Sequence, residues 1–445
     1  MADKQLTKPP SGTRDFLPDE IRRREYVIDV IRRVYESYGF EPLETPAFEN
    51  IDTLLGKYGE EGNKLIFKIL KRGEHEKSGE ADLALRYDLT VPLARVVAQY
   101  QNELPKFFKR YQIQPVWRAD RPAKGRFREF HQCDIDSLGS TDALVEAELL
   151  SAVCDVLARL GFQDFIVRLN HRGLLTALLE TSGIAATQHG DALVALDKLD
   201  KIGRDGVERE FSARGIPSDA VAKALTFFAG ESVESDRALE RLTGIVGRHE
   251  SLENLDAIVK LLATTDAGKR IRVDPSLARG LSYYTGAIME VAVPDLAGSL
   301  GGGGRYDNLI GMFLGRDVPA CGFSLGLERL IVVMTERKMF PAEVAGGAVD
   351  IMVTIWNDER RADAVRLAQE LRQGGLRVDV YPEADKLGKQ FKYASSRNVR
   401  FVAIVGDDER SRGEVAVKDM RSGDQKSLPR AEAAAFVALT LNREP

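Results

Sequence analysis

R-A-D-R-P-A-K-G-R-F-R-E-F-H-Q-C-D-I-D, residues 118–136, is the stretch on which the reading of this chain turns. Five basic side chains (Arg118, Arg121, Lys124, Arg126, Arg128) share it with four carboxylates (Asp120, Glu129, Asp134, Asp136), a mixture that suits anions and an ammonium group better than an apolar core. Residues 107–117 mix β-branched and aromatic side chains with polar ones, residues 127–136 do the same, and R-P-A-K-G-R lies between. The pattern predicts two strands joined by a long hairpin connection. Alternation places Arg126, Arg128, Phe130, Gln132, Asp134 and Asp136 on one face and Phe127, His131, Cys133 and Ile135 on the other. A charged hairpin is usually a solvated edge. Such an edge needs no ring and amide interleaved between guanidinium and carboxylate, whereas a binding face does: a flat base on Phe130, phosphates on Arg118, an amine on Asp136.

The rest of the chain sets bounds. Its 445 residues exceed one core and predict two or three domains. Hydrophobic content of 44% and charged content of 29% are ordinary for a globular protein, and a net charge of −5 argues against indiscriminate coating of nucleic acid while leaving room for a local basic patch. Cys133, Cys154 and Cys321 form no C-x-x-C pair, and the five histidines form no H-E-x-x-H, so neither a disulfide framework nor a structural metal is expected. The first residues lack an apolar h-region and no run approaches the ~18 apolar residues of a membrane span. A soluble cytoplasmic protein is expected.

Outward from the hairpin, spacing predicts a helix over 19–39 with Ile21, Val27, Ile28, Ile31, Val34 and Tyr35 on its apolar stripe and Gly39 at its stop. Residues 40–48 read as one extended strand that Pro42 and Pro46 confine to an edge. A short strand over 83–88 leads through Thr90 and Pro92 into a helix ending near Tyr100. A helix over 144–161 and a strand over 165–169 follow. Residues 184–269 carry helical spacing at 192–202, 207–214 and 255–263 without strong strand signals, as an inserted helical module would. Strand character returns at Ile271 and through 283–293, and Gly301–Gly304 reads as a closing turn. After a linker at 345–348, strands at 349–355, 378–381 and 401–405 alternate with helices at 358–373 and 386–398, which predicts a small α/β domain with a partly parallel sheet.

Three further patches carry chemistry. L-A-R-G-L-S-Y-Y-T-G-A-I-M-E, residues 277–290, offers the Arg279 guanidinium and the rings and hydroxyls of Tyr283 and Tyr284. G-G-G-G-R-Y-D, residues 301–307, is either a flexible turn or a tight backbone wall against a substrate. G-F-S-L-G-L-E-R-L, residues 322–330, reads as a strand turning into a helix that carries Arg329. Neither a Walker loop nor G-x-G-x-x-G before a helix occurs, so nucleotide binding here is not of the P-loop or Rossmann type.

In this order the four patches resemble the histidyl-tRNA synthetases, a class II aminoacyl-tRNA synthetase family, over nearly the whole chain. Residues 40–48 would be motif 1, 118–136 motif 2 and 322–330 motif 3, while R-G-L-x-Y-Y and G-G-R-Y-D match the two histidine motifs of that family alone. The resemblance implies an α+β class II catalytic domain with an antiparallel sheet, residues 1–183 and 270–344, interrupted by a helical insertion, 184–269, and followed by a C-terminal α/β anticodon-binding domain, 348–445. It implies ATP as substrate with Mg2+, metal ligands being unspecified, and a homodimer acting on histidine and tRNA(His). By position, Arg118 and Arg279 would be catalytic; Arg118, Asp120, Arg126, Phe130 and Arg329 would bind ATP; Asp88, Thr90, Gln132, Asp136, Arg279, Tyr283, Tyr284 and Tyr306 would bind histidine. Arg121, Lys124, Lys386 and Lys389 would meet tRNA. Ala123 stands where bacterial members usually place glutamine, Asp88 and Asp136 where many carry glutamate, and Ser282 where aspartate is frequent. Two other readings are a non-catalytic regulatory subunit of ATP phosphoribosyltransferase, which usually lacks the anticodon domain, and an RNA-sensing module, which would be expected to carry an attached kinase domain.

Overall fold

A computed structural model describes residues 7–73, 78–228, 234–278, 283–296, 298–341, 344 and 348–441. The chain divides into two compact units, Met1–Phe16 with Arg24–Met339, and Leu17–Arg23 with Phe340–Pro445. The first unit contains β1 (Glu41–Pro42), β2 (Phe48–Asn50), β3 (Lys68–Leu70), β4 (Ala81–Leu85), β5 (Phe108–Trp117), β6 (Glu129–Leu138), β7 (Ile166–His171), β8 (Ile271–Val273), β9 (Ala287–Ala292), β10 (Ser299–Arg305) and β11 (Ala320–Gly326). Eight of them form one sheet in the order β1-β5-β6-β11-β10-β9-β7-β8, and β2-β4-β3 form a small second sheet. The six central strands of the large sheet pair antiparallel, and only its edges, β1 on β5 and β8 on β7, are parallel.

The hairpin expected around 118–128 joins β5 and β6, the second and third strands of this sheet. β5 and β6 pair from Phe108↔Leu138 to Trp117↔Glu129. Cys133 and Ile135, on the face expected to pack, are fully buried, and the Tyr35 hydroxyl of the helix Pro18–Ser37 donates to the Cys133 carbonyl at 3.2 Å. That helix buries Val27, Ile31, Val34 and Tyr35 at the spacing of one face. The helices Leu144–Arg159 and Leu327–Glu336 pack on β6 and β11. Between β7 and β8 lie the helices Arg172–Thr181, His189–Leu196, Leu199–Ala213, Ser218–Phe228, Ser235–Val246 and Glu250–Leu262. Three of these, 172–181, 218–228 and 235–246, were not anticipated from the sequence.

Other expectations need correction. Residues 40–48 are not one strand: only Glu41–Pro42 pairs with β5, and Phe48–Asn50 joins the other sheet. Proline removes two ladder donors, and the carbonyls of Thr45 and Pro46 are taken by the Arg86 guanidinium at 2.6 and 3.1 Å instead of by a neighbouring strand. The strand expected at 283–293 begins only at Ala287. Gly301–Gly304 do not turn: all four lie inside β10, paired with β9 and β11. A Cβ on Gly303 would collide with the Gly322 carbonyl and one on Gly304 would stand 2.7 Å from the Ala287 carbonyl, so glycine serves close strand approach here, not a bend.

In the second unit, β12 (Ile351–Val353), β13 (Val378–Val380), β14 (Phe401–Ile404), β15 (Glu414–Asp419) and β16 (Gln425–Pro429) form a sheet ordered β13-β12-β14-β15-β16. Its first three strands are parallel and the last two antiparallel. Leu367, Leu371, Val415 and Val437 pack in one apolar core of this unit, and Met352, Ala394, Val402 and Ala416 in another. The helix Arg430–Thr440 and the β15-β16 hairpin extend the alternation read from the sequence. The expected linker at 345–348 falls mostly outside the described residues.

Candidate active site

The hairpin loop closes on itself through Ala123 and Arg126, whose backbone N–H groups each donate to the other's carbonyl at 3.0 and 2.9 Å, with Gly125 at φ +68° making the turn. Arg128 is spent on structure: its Nε donates to the Asp120 carbonyl and its backbone to Gly12. Arg118 turns the other way. Its Nε donates to the Tyr87 carbonyl at 3.0 Å, and its guanidinium carbon stands 4.3 Å from the Tyr87 ring centre and 5.1 Å from that of Phe130.

These groups open onto a cavity of about 1030 Å³. Asp88, Thr90, Arg118, Asp120, Arg126, Phe130, Gln132, Asp136, Tyr283, Tyr284, Tyr306 and Arg329 all line it. The sequence scatters them over 240 positions; the antiparallel sheet and the helix after β11 gather them. Arg329 lies beside the hairpin turn, 3.7 Å from where a Cβ on Gly125 would be, and its Nη1 donates to the Ser299 carbonyl. Arg279 lies outside the described residues. Arg121 and Lys124 sit exposed on the hairpin loop without lining the cavity; Lys124 pairs with Glu336 at 2.6 Å, both side chains well exposed to solvent. Lys386 precedes the helix Leu387–Ser396 of the second unit, and Lys389 pairs with Asp385 at 2.9 Å.

Acid dominates one part of the lining. Asp88, Asp134 and Asp136 are each 2% exposed or less. Asp88 accepts from the Tyr58 hydroxyl at 3.0 Å, the Val91 N–H at 3.1 Å and the Tyr283 hydroxyl at 3.2 Å. Asp136 accepts a short bond from the Tyr306 hydroxyl, and Arg110 Nη2 lies 2.8 Å from its Oδ2, an ion pair off the line of a hydrogen bond. Gly322 makes the room: a Cβ there would collide with the Asp136 carboxylate. Burial raises the pKa of all three carboxyls, Asp134 to about 7 with Arg110 opposing and Asp136 adding. Burial first, and then the nearby carboxylates, hold the Tyr58, Tyr283 and Tyr306 hydroxyls neutral, so they donate. Such a set can take up cations and N–H donors, while Arg118, Arg126 and Arg329 can take up anions.

Sequence reading missed several members. Tyr58 lines the cavity from a segment with no motif around it, and Tyr87 lines it beside Asp88 without having been singled out. Asp134 and Ser324 line it too, and face each other in register across β6 and β11. Alternation had put Asp134 on the binding face, so the signal was present. Arg172, Asp197, Lys198 and Arg214 of the helical module also contribute, unannounced by any pattern.

Fold and cavity together define an α+β class II synthetase scaffold with a C-terminal domain of the anticodon-binding kind. The sequence profile described as histidyl-tRNA synthetase matches residues 12–330, and the profile described as anticodon binding domain matches residues 349–439. The chain belongs to the histidyl-tRNA synthetase family. Similar proteins include the histidine–tRNA ligase of Porphyromonas gingivalis, 43% identical over 97% of this chain and 99% of its own, and that of Gloeobacter violaceus, 42% identical over 96% and 97%. The crystal structure of histidyl-tRNA synthetase from Nostoc sp. superposes with a TM-score of 0.83 at 32% identity, covering 98% of this chain and all of that one. A Bacillus halodurans protein described as an ATP phosphoribosyltransferase regulatory subunit/histidyl-tRNA synthetase shares the fold, with a TM-score of 0.73 over 91% of this chain, at only 22% identity. Among the described residues no helix is long and apolar enough to cross a membrane.

Proposed function

We propose that this chain is a histidine–tRNA ligase: it activates histidine with ATP to histidyl adenylate and passes the acyl group to the 3′ end of tRNA(His). The observation that carries the reading is one cavity holding both a guanidinium and aromatic group and a set of buried carboxylates capped by tyrosine hydroxyls. Phosphates and base suit the first, ammonium and imidazole the second.

In this reading Arg118 holds the α-phosphate and Arg126 the outer phosphates, Phe130 and Arg329 cover the two faces of adenine, and Asp120 meets its amine. Asp88, Thr90, Gln132, Asp136, Tyr283, Tyr284 and Tyr306 bind histidine. The substrate carboxylate attacks the α-phosphorus and the bond to pyrophosphate breaks, with Arg118 and Arg279 stabilising the charge that gathers there. The ribose hydroxyl at the tRNA 3′ end then attacks the acyl carbon and AMP departs. Magnesium would accompany ATP on its phosphates, its protein ligands being unspecified. Residues 1–183 and 270–344 would carry the chemistry, 184–269 the insertion and 348–445 anticodon recognition, with Arg121 and Lys124 toward the acceptor end and Lys386 and Lys389 toward the anticodon, in a cytoplasmic homodimer.

Histidine-dependent ATP–pyrophosphate exchange on the purified protein tests this. Exchange should require histidine, and another standard amino acid supporting it equally would reject the assignment.

A further inference from the structure

Gln132 is 92% buried and lines the cavity, yet its Oε1 has no hydrogen-bond partner. Its Nε2, by contrast, is engaged twice, with Ser324 Oγ at 2.8 Å and Asp134 Oδ1 at 3.4 Å. Ser324 faces Asp134 in register across the β6-β11 pair, so the Gln132 NH2 lies between them. Above its raised pKa of about 7 the Asp134 carboxylate can only accept, so it fixes which end of the Gln132 amide turns toward it. The NH2 donates to Asp134 and to a Ser324 lone pair, and the amide oxygen is turned away with nothing to accept from.

We propose that Asp134 is a positioning residue: together with Ser324 it orients the Gln132 amide so that Oε1 is presented, unpartnered, to an N–H donor of the amino-acid substrate. The inference rests on the reading of the cavity as a histidine site and deepens it. Asp134 does not itself need to touch the substrate. A neutral side chain of the same shape would reverse the amide. Asparagine at 134 can donate to the Gln132 oxygen, the Ser324 hydroxyl can donate to it as well, and the amide then turns its NH2 toward the substrate's ammonium or imidazole N–H, placing donor against donor. Leaving a buried polar group in that state costs affinity for the amine-bearing substrate and none for ATP, whose contacts lie on Arg118, Phe130 and Arg329.

The experiment is pyrophosphate exchange by the full-length protein and its variants, with KM for histidine, KM for ATP and kcat measured separately. Asp134→Asn should raise the histidine KM by about 10- to 100-fold, the range for one stranded buried group, with the ATP KM unchanged and kcat within a few-fold. Ser324→Ala keeps the acid and should raise the histidine KM less, by a few-fold, because Asp134 still accepts directly from Gln132. In the double variant the loss should equal that of Asp134→Asn alone, as members of one hydrogen-bonded set are not additive. An unchanged histidine KM in Asp134→Asn, or a parallel loss in both KM values, overturns the proposal. If Asp134→Asn does not fold, Ser324→Ala decides: a histidine KM equal to wild type then overturns it. Wild-type protein without histidine-dependent exchange would instead reject the functional reading on which it stands.

Discussion

Two buried arginine–carboxylate pairs in the same sheet are built from like parts and finished differently. Arg305 on β10 meets Glu146 with both forks, Nε to Oε1 at 2.6 Å and Nη2 to Oε2 at 2.9 Å, and its Nη1 reaches the Ser140 carbonyl and Asp307. Every nitrogen is occupied. Arg110 on β5 is more deeply buried, yet it meets Asp136 with one nitrogen, and its Nε and Nη1 have no partner. Gln132 Oε1 is unpartnered nearby. A pair that completes its own hydrogen bonds serves the fold; a set left short, with surplus acid on the cavity side, holds capacity for something from outside.

The comparison is broken most severely at Asp136. Asp136→Asn should lower kcat/KM for histidine by roughly 10³- to 10⁴-fold, as expected when a site built around a polar partner loses it, while the melting temperature stays or rises. A melting loss matching the activity loss would place Asp136 with the structural pairs. Glu146→Ala should do the reverse. Uncompensated Arg305 should cost about 3–5 kcal/mol in denaturant unfolding, with exchange per folded molecule nearly intact.

Smaller, and diagnostic in sign, is pH. A folded-state carboxyl raised from its ordinary 3.8 to about 7, as at Asp134, binds its proton more tightly in the folded chain. The destabilising contribution of Asp134 is therefore present above pH 7 and is relieved as pH falls toward 4, while His131 and His171, whose pKa burial lowers to about 4, act in the opposite sense near pH 6; the share of Asp134, on the order of 1 kcal/mol between pH 6 and pH 8, is the difference between wild type and Asp134→Asn. Thermal melts of both proteins across that window check it. A depressed carboxylate, the usual case, would leave this window flat and lose its stabilisation only below its ordinary pKa of about 3.8. The smallest effect concerns Lys124. Its pair with Glu336 is solvated and contributes little, so Lys124→Ala should leave stability and exchange unchanged and raise the KM for tRNA by only a few-fold, more at low salt.

Much of this was legible because strands announce themselves by alternation. The β5-β6 hairpin and the side on which Phe130, Gln132, Asp134 and Asp136 lie follow from period two alone, and the partly parallel C-terminal sheet follows from strands alternating with helices. The Gly301–Gly304 run was misread as a turn because glycine signals both bends and close approach, and only the flanking strands decide between them. The 218–228 helix did carry a signal, with Ala220, Val221, Ala224, Leu225 and Phe228 on one buried face. Tyr58 was invisible, since its bond to Asp88 is a fact of tertiary packing that nothing near position 58 encodes.

The parallel pairing of β7 with β8 has a topological consequence. Val167 stands opposite Ile271 and Leu169 opposite Val273, so the chain from 172 to 270 leaves the sheet at one end of a strand and must re-enter at the other end of its neighbour. No tight turn can make that journey; a crossover of about a dozen residues or more is the minimum. The helical module is thus an enlarged crossover rather than an ornament on a loop. Its helices can be shortened or exchanged for another bridge, but pruning it to a hairpin would force β8 to reverse, and the sheet edge would have to be rebuilt.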